Sequence, residues 1–179
     1  MCIRDRVKRV TSNKGCELVF EPGRVIVGNA GILVSRVLYI KESAGHTFTV
    51  LDAAMNDLLR PSLYGAHHAI VPVREVAADE NFLPTDIVGP ICESGDVFAH
   101  GRPMPPLVTD DLLAIRTSGA YGAVMSSNYN SRPLAAEVLV NSDVFEIVRR
   151  HQTTEEMLAL EEMPSWFDNH GIRRNKSSE

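Results

Sequence analysis

No stretch of the 179 residues approaches eighteen uninterrupted apolar positions, so the chain offers no candidate for a membrane-spanning helix. Basic runs are missing too. The 18 Lys and Arg face 23 Asp and Glu, for a formal charge of −5, and no cluster is long enough to track a phosphate backbone. Nucleic acid is therefore not an expected partner. The opening MCIRDRVKRV lacks the apolar segment and small-residue cleavage site of a secretory signal, and a cytoplasmic location is expected. Cysteine is scarce: Cys2, Cys16 and Cys92 are odd in number and far apart, which suits reduced thiols better than a disulfide framework. Neither CxxC nor HxxxH accompanies them. The adjacent His67 and His68 would point to opposite faces of an extended segment, so no metal site is expected. Internal repeats and low-complexity tracts are absent.

What remains is the composition of an ordinary soluble protein, 44% apolar and 23% charged, long enough to bury the core of one domain or of one domain with part of another. Short β-rich runs follow one another along it. Leu18–Phe20 read as a strand ending in a Pro-Gly turn, and VIVGNAGILVSRVLYIKES as strand or a short helical turn before a long strand. HTFTVLDA alternates threonine with apolar residues, as a half-buried strand does, and HHAIVPVREV reads as another. TDIVGPICESGDVFA suggests two strands about a Gly-Pro bend, whereas the proline-dense GRPMPPLV reads as loop. DDLLAIRTSGAYGAVMS opens from a strand into a glycine-rich turn. AAEVLVNSDVFEIVRR has the form of a hairpin about Asn141, Ser142 and Asp143. Thr153 stands three residues before Glu156, a capping-box spacing that predicts a short closing helix. Together these runs predict a mainly β protein, an antiparallel sandwich or barrel, with a polar tail at 164–179.

Four segments carry chemistry. GPICESGDVFAHGR sets Cys92 among Glu93, Ser94, Gly95 and Asp96, too polar and turn-prone for a core segment. The thiol can be a small buried hydrophobe, a nucleophile with His100 as base, or a proton donor. Glu93 and Asp96 favour the protonated thiol and hence the last. FEPGR ends a run in Pro22-Gly23, exposing backbone N–H groups that could cradle a phosphate, with Arg24 beside them to pair with a carboxylate or phosphate; an ordinary turn with a solvated arginine is the alternative. LLRPSLYG offers a permanently charged fork at Arg60 and a phenol four positions on at Tyr64, or else a surface arginine with a neighbour. SGAYGAVMSSNYN holds Tyr121 between Gly119 and Gly122, where a flat ligand could approach the ring, or a strand simply ends among glycines.

In this order, FEPGR, LLRPSLYG, GPICESGD and GAYGAVMSSNYNSRP resemble the carboxyl-terminal part of the diaminopimelate decarboxylases, pyridoxal-phosphate enzymes that make L-lysine; the likeness runs from about Gly15 to Leu160. The resemblance implies a β-barrel or sandwich of the alanine-racemase C-terminal kind at 31–163, preceded at 15–30 by the last strand and turn of an incomplete α/β (TIM) barrel. Residues 1–14 then form a leader outside the family pattern. A whole α/β barrel takes about 250 residues, so the chain would lack the lysine that binds the cofactor; Lys8, Lys14, Lys41 and Lys176 fall in no such motif.

By the same resemblance, Glu21, Pro22, Gly23 and Arg24 would touch the phosphate of pyridoxal 5′-phosphate, Arg24 would hold a substrate carboxylate, and Arg60 and Tyr64 would bind the far end of diaminopimelate. Glu93 would meet the distal ammonium, Tyr121 would contact substrate and cofactor, and Cys92 would be the catalytic proton donor. The CESGD loop would act in the neighbouring subunit's site, which implies a homodimer. Alternatives are an ornithine- or arginine-type decarboxylase, a non-catalytic β-domain that binds a partner chain, and a cysteine hydrolase built on Cys92 and His100.

Overall fold

The computed structural model describes residues 3–12, 14, 15 and 17–167; Cys2, Cys16 and the end of the tail lie outside them. Helix α1 (Ile3–Thr11) comes first, and residues 17–27, which form no helix or strand, lead through a helical turn at Gly28–Ala30 into the first strand. β1 (Leu33–Ser43) folds back on β2 (His46–Leu51) through Ala44 and Gly45, both at positive φ (50° and 80°), the two-residue turn that suits the twist of a hairpin. Next come helix α2 (Arg60–Tyr64), β3 (Ile70–Pro72), β4 (Leu83–Val88), β5 (Val97–Met104) and β6 (Leu112–Ile115). Among the described residues the last elements are a separate hairpin, β7 (Glu137–Asn141) and β8 (Val144–Arg149), and helix α3 (Thr154–Leu158).

The six strands lie in the order β3-β6-β1-β2-β4-β5. Alternation sets which face is buried: Ser35 and Val37 on β1 turn inward while Val34 and Arg36 turn out. Val37, Leu51, Leu58, Ile87, Leu113 and Ile115 are sealed at 1% exposure or less and form one core. The curled sheet is fastened near its two ends. From β5, Arg102 donates to the His68 carbonyl at 3.2 Å and meets His67 Nε2 at 2.6 Å, on the stretch that leads into β3.

The expected barrel-like β architecture is therefore present, with corrections in its parts. The sheet is not wholly antiparallel: β2 and β4 run parallel, because residues 52–82 cross over between them. Leu18–Phe20 form no strand. Val19 is 81% exposed, and an isolated strand without a neighbour to hydrogen-bond has no reason to persist. GRPMPPLV is not all loop, since β5 runs to Met104 with Pro103 opposite Pro84. Pro103 is tolerated because β5 is an edge strand, where a missing N–H breaks no ladder. α2 was not foreseen, although Pro61 at its start and Gly65 past its end, at φ 59°, are the marks of a helix's two termini. The hairpin at Asn141–Val144 and the α3 capping box, with Thr153 and Glu156 exchanging side-chain-to-backbone hydrogen bonds, are as the sequence predicts.

Candidate active site

Two irregular segments are stitched together at one end of the barrel. The turn at 24–31 meets the loop that follows β6: Ser118 N–H donates to Gly31 O at 2.9 Å, Gly119 N–H to Gly28 O at 3.0 Å, and Arg24 Nη2 to Thr117 O at 3.4 Å. The approach is so close that a Cβ on Gly119 would sit 2.1 Å from Val27 O, and one on Gly31 would sit 2.6 Å from the Gly119 Cα. Only glycine fits at either point. Thr117 and Tyr121 adopt positive φ (62° and 58°), unusual for residues with a Cβ, and these contacts hold them there. The loop thereby presents the Tyr121 hydroxyl to Gly23, 3.4 Å from where a Cβ would lie.

Against this pair α2 brings a guanidinium. Arg60 lies over two rings, its Cζ 5.6 Å from the Tyr64 centroid and 5.8 Å from that of Tyr121, both within cation–π range. Tyr64 follows Arg60 by four residues and so shares its helix face. Arg24 Nε and Arg60 Nε are buried without a hydrogen-bond partner. Two unpaired buried donors on permanent cations, flanked by half-open phenols, are chemistry suited to an anionic group with a flat body. Behind the loop, Arg132 donates to Asn56 Oδ1 at 2.9 Å and to the Asp52 carbonyl, tying residues 126–133 to 52–57.

The CESGD loop is held from below. Asp96, 2% exposed, accepts Met55 N–H at 2.7 Å and Ile91 N–H at 2.8 Å, so its carboxylate organises backbone and does not face a ligand. Burial raises the Asp96 carboxyl above the usual 3.8, against the pull of those two N–H groups. Gly89 makes room for it: a Cβ there would lie 2.2 Å from Asp96 Oδ2. Ser62 Oγ donates to Gly95 O at 2.6 Å, fastening the loop to α2. Cys92 and Glu93 are left exposed at its tip, with Glu93 Oε1 accepting Gly95 N–H at 3.1 Å.

Of the residues named from sequence, the structure groups Gly23, Arg24, Arg60, Tyr64 and Tyr121 at one place, with exposed Glu21 and Pro22 leading into it. Cys92 and Glu93 stand apart. Ser62, which anchors their loop, is two positions from Arg60 and from Tyr64, about 200° around the helix from each, on its opposite side. Sequence reasoning missed three supporting residues: Ser62, Asp96 as anchor, and His68, whose Nδ1 lies 2.9 Å from Arg116 O. Tyr121 also borders a cavity of about 710 Å³ that runs from Gly31–Val34 to the β7–β8 hairpin. Gly119 and Gly122 line it as well, whereas Glu21 to Arg24, Arg60, Tyr64, Cys92 and Glu93 do not.

Residues 10–119 match the family model described as the pyridoxal-dependent decarboxylase C-terminal sheet domain. The chain is 48% identical over 163 residues to the diaminopimelate decarboxylase of Zymomonas mobilis, covering 91% of this chain and 38% of that protein. With the Pseudomonas aeruginosa diaminopimelate decarboxylase it shares 52% identity over 147 residues, 82% of this chain and 34% of the other. Among solved structures, diaminopimelate decarboxylase from Helicobacter pylori complexed with L-lysine superposes with a TM-score of 0.73 at 40% identity, over 84% of this chain and 37% of that one. A Chlorella virus arginine decarboxylase shares the fold, with a TM-score of 0.58 at 22% identity over 72% of this chain and 36% of that one. The chain thus spans little more than a third of the length of these relatives.

Proposed function

The chain belongs to the pyridoxal-dependent decarboxylase family and carries its C-terminal sheet domain, and from that premise we propose that it is the carboxyl-terminal part of a diaminopimelate decarboxylase acting in the cytoplasm as a homodimer. The observation that carries the reading is the seating of Arg60 over Tyr64 and Tyr121, beside Arg24 and Gly23, which joins three of the four motifs into one anion receptor. The far higher identity to diaminopimelate decarboxylases than to the arginine enzyme supports that substrate over the related amino acids.

The residues present fit pyridoxal phosphate. Arg24 has a free buried Nε–H, and the approach from Glu21 to Gly23 is open backbone. Once bound, the cofactor supplies the electron sink for loss of carbon dioxide; the lysine that would hold it lies, by the family pattern, outside these 179 residues. Residues 15–30 would be the end of the cofactor-binding barrel. Glu21 to Arg24 hold the phosphate, and Arg24 also grips a substrate carboxylate. Arg60 and Tyr64 hold the far carboxylate, Glu93 takes the distal ammonium, and Tyr121 lies against substrate and cofactor. Cys92 keeps its proton on Sγ and delivers it to the carbon from which carbon dioxide departs. The CESGD loop is fastened to the side of α2 away from Arg60, which supports the reading that Cys92 and Glu93 serve the site of the second subunit of a homodimer.

In the full-length polypeptide, Cys92→Ala should lower kcat by about 10²- to 10⁴-fold with little change in substrate affinity. Equal losses in both would contradict the proton-donor role.

A second reading is a non-catalytic β-domain that binds a partner chain, favoured by the β7–β8 hairpin, where Leu139, Val140, Phe145 and Ile147 are all at least 63% exposed. Co-elution of this chain with a full-length relative, without gain of activity, would support it.

A further inference from the structure

His68 is 1% exposed, and its ring is held by a single hydrogen bond, from Nδ1 to the Arg116 carbonyl at 2.9 Å. A carbonyl only accepts, so Nδ1 carries the proton, and in the neutral ring Nε2 is a bare lone pair. That nitrogen is buried with no partner. Arg116 is followed by Thr117, at φ 62°, whose own carbonyl accepts from Arg24. His68 and Arg24 therefore grip successive carbonyls of the strained turn that presents Tyr121.

Among the described residues, the side chains that act electrostatically on the imidazole all oppose its protonation. Arg24 from the 24–27 turn, Arg60 from α2 and its neighbour His67 act on it, and Arg102 from β5 donates to its own carbonyl. Arg116 contributes its carbonyl from the end of β6. Burial, followed by these cations, holds the imidazole below its ordinary 6.5. Among the described residues, three buried nitrogens thus lack partners at this end of the barrel: the Nε–H donors of Arg24 and Arg60, and the Nε2 lone pair of His68.

We propose that His68 is a positioning residue that couples anion uptake by the Arg24–Arg60 receptor to protonation of its own Nε2. With the receptor empty, a proton on Nε2 would add a cation among arginines. With a carboxylate or other anion between them, that cost falls. Anion binding and proton binding then strengthen each other, and affinity rises as pH falls through the His68 pKa. This rests on reading Arg24 and Arg60 as an anion receptor.

The test uses this chain, isotopically labelled, titrated with formate and separately with sulfate, anions whose charge is constant over the range used. NMR follows the Arg24 and Arg60 Nε–H signals and the His68 ring nitrogens at about pH 5.5 and about pH 7.5. We expect binding at least about threefold tighter at the lower pH, with the Nε2 shift moving toward that of imidazolium as anion is added. His68→Asn keeps a side-chain N–H near the Nδ1 position for the Arg116 carbonyl; it should bind anion with no such pH dependence. Equal affinity at both values in the native chain, or an unchanged pH dependence in His68→Asn, would overturn the coupling while leaving the receptor standing. No response of either arginine at any pH would overturn the receptor and the coupling together.

Discussion

At the scale of single residues the site depends on groups that never touch a ligand. Gly119 has no room for a methyl group, since its Cβ would lie 2.1 Å from Val27 O. Gly119→Ala should therefore cost about 1–3 kcal/mol in urea unfolding and loosen Tyr121, visible as lost dispersion of its ring signals; a neutral effect on both would mean that the two segments are not in contact. Asp96 makes a prediction about pH. Its folded-state pKa lies above 3.8, so the folded chain binds that proton more tightly than the unfolded chain. The resulting stabilisation is complete below 3.8 and is lost as pH rises through the raised value. Asp96→Asn removes this titration, and its stability should fall less steeply with pH above 3.8 than that of the native chain, although it is lower throughout by about 1–3 kcal/mol for the lost acceptor. Parallel pH profiles would remove Asp96 from the account.

Elements explain how the exposed tip of the CESGD loop is carried. α2 holds Arg60 and Tyr64 on one side and, through Ser62, the CESGD loop on the other. Ser62→Ala should leave the fold intact, cost about 0.5–1.5 kcal/mol, and raise amide exchange at residues 92–95; unchanged exchange there would mean that Asp96 alone anchors the loop. Much of this level was legible in the sequence. The hairpin at 141–144 and the capping box at Thr153 are local signals written within a few residues, and the structure keeps both. The strand at Leu18–Phe20 and the loop at GRPMP failed because strand formation depends on a neighbour: the first lacks one, and the second finds β4 across from it. Three of the four motifs pointed to residues that do converge, Arg24 with Arg60 and Tyr121, but spacing alone could not reveal that His68 secures the turn before Tyr121 or that Ser62 and Asp96 secure the CESGD loop. Those roles come from contacts between residues 33 to 48 positions apart in the sequence.

At the scale of the whole molecule, apolar surface lies open beside the sheet. The sheet is fastened near its ends by Arg102, yet Val25, Ile26 and Ile32 before β1 are 77%, 68% and 57% exposed, and the β7–β8 hairpin is apolar on both faces. Surfaces of this kind are expected to self-associate or to bind hydrophobic dyes strongly in the isolated chain, and to stop doing so in the full-length polypeptide; equal dye binding in both would show that those faces are never covered. The central claim is that Cys92 from one subunit completes a receptor built by Arg60 of another. Full-length Cys92→Ala and Arg60→Ala chains, each inactive alone, should be mixed, unfolded and refolded together, and assayed for carbon dioxide release. If the site is shared, half of the randomly formed dimers are hybrids with one intact site, and activity should return to about a quarter of the native value. Activity no greater than that of either variant alone would contradict the account.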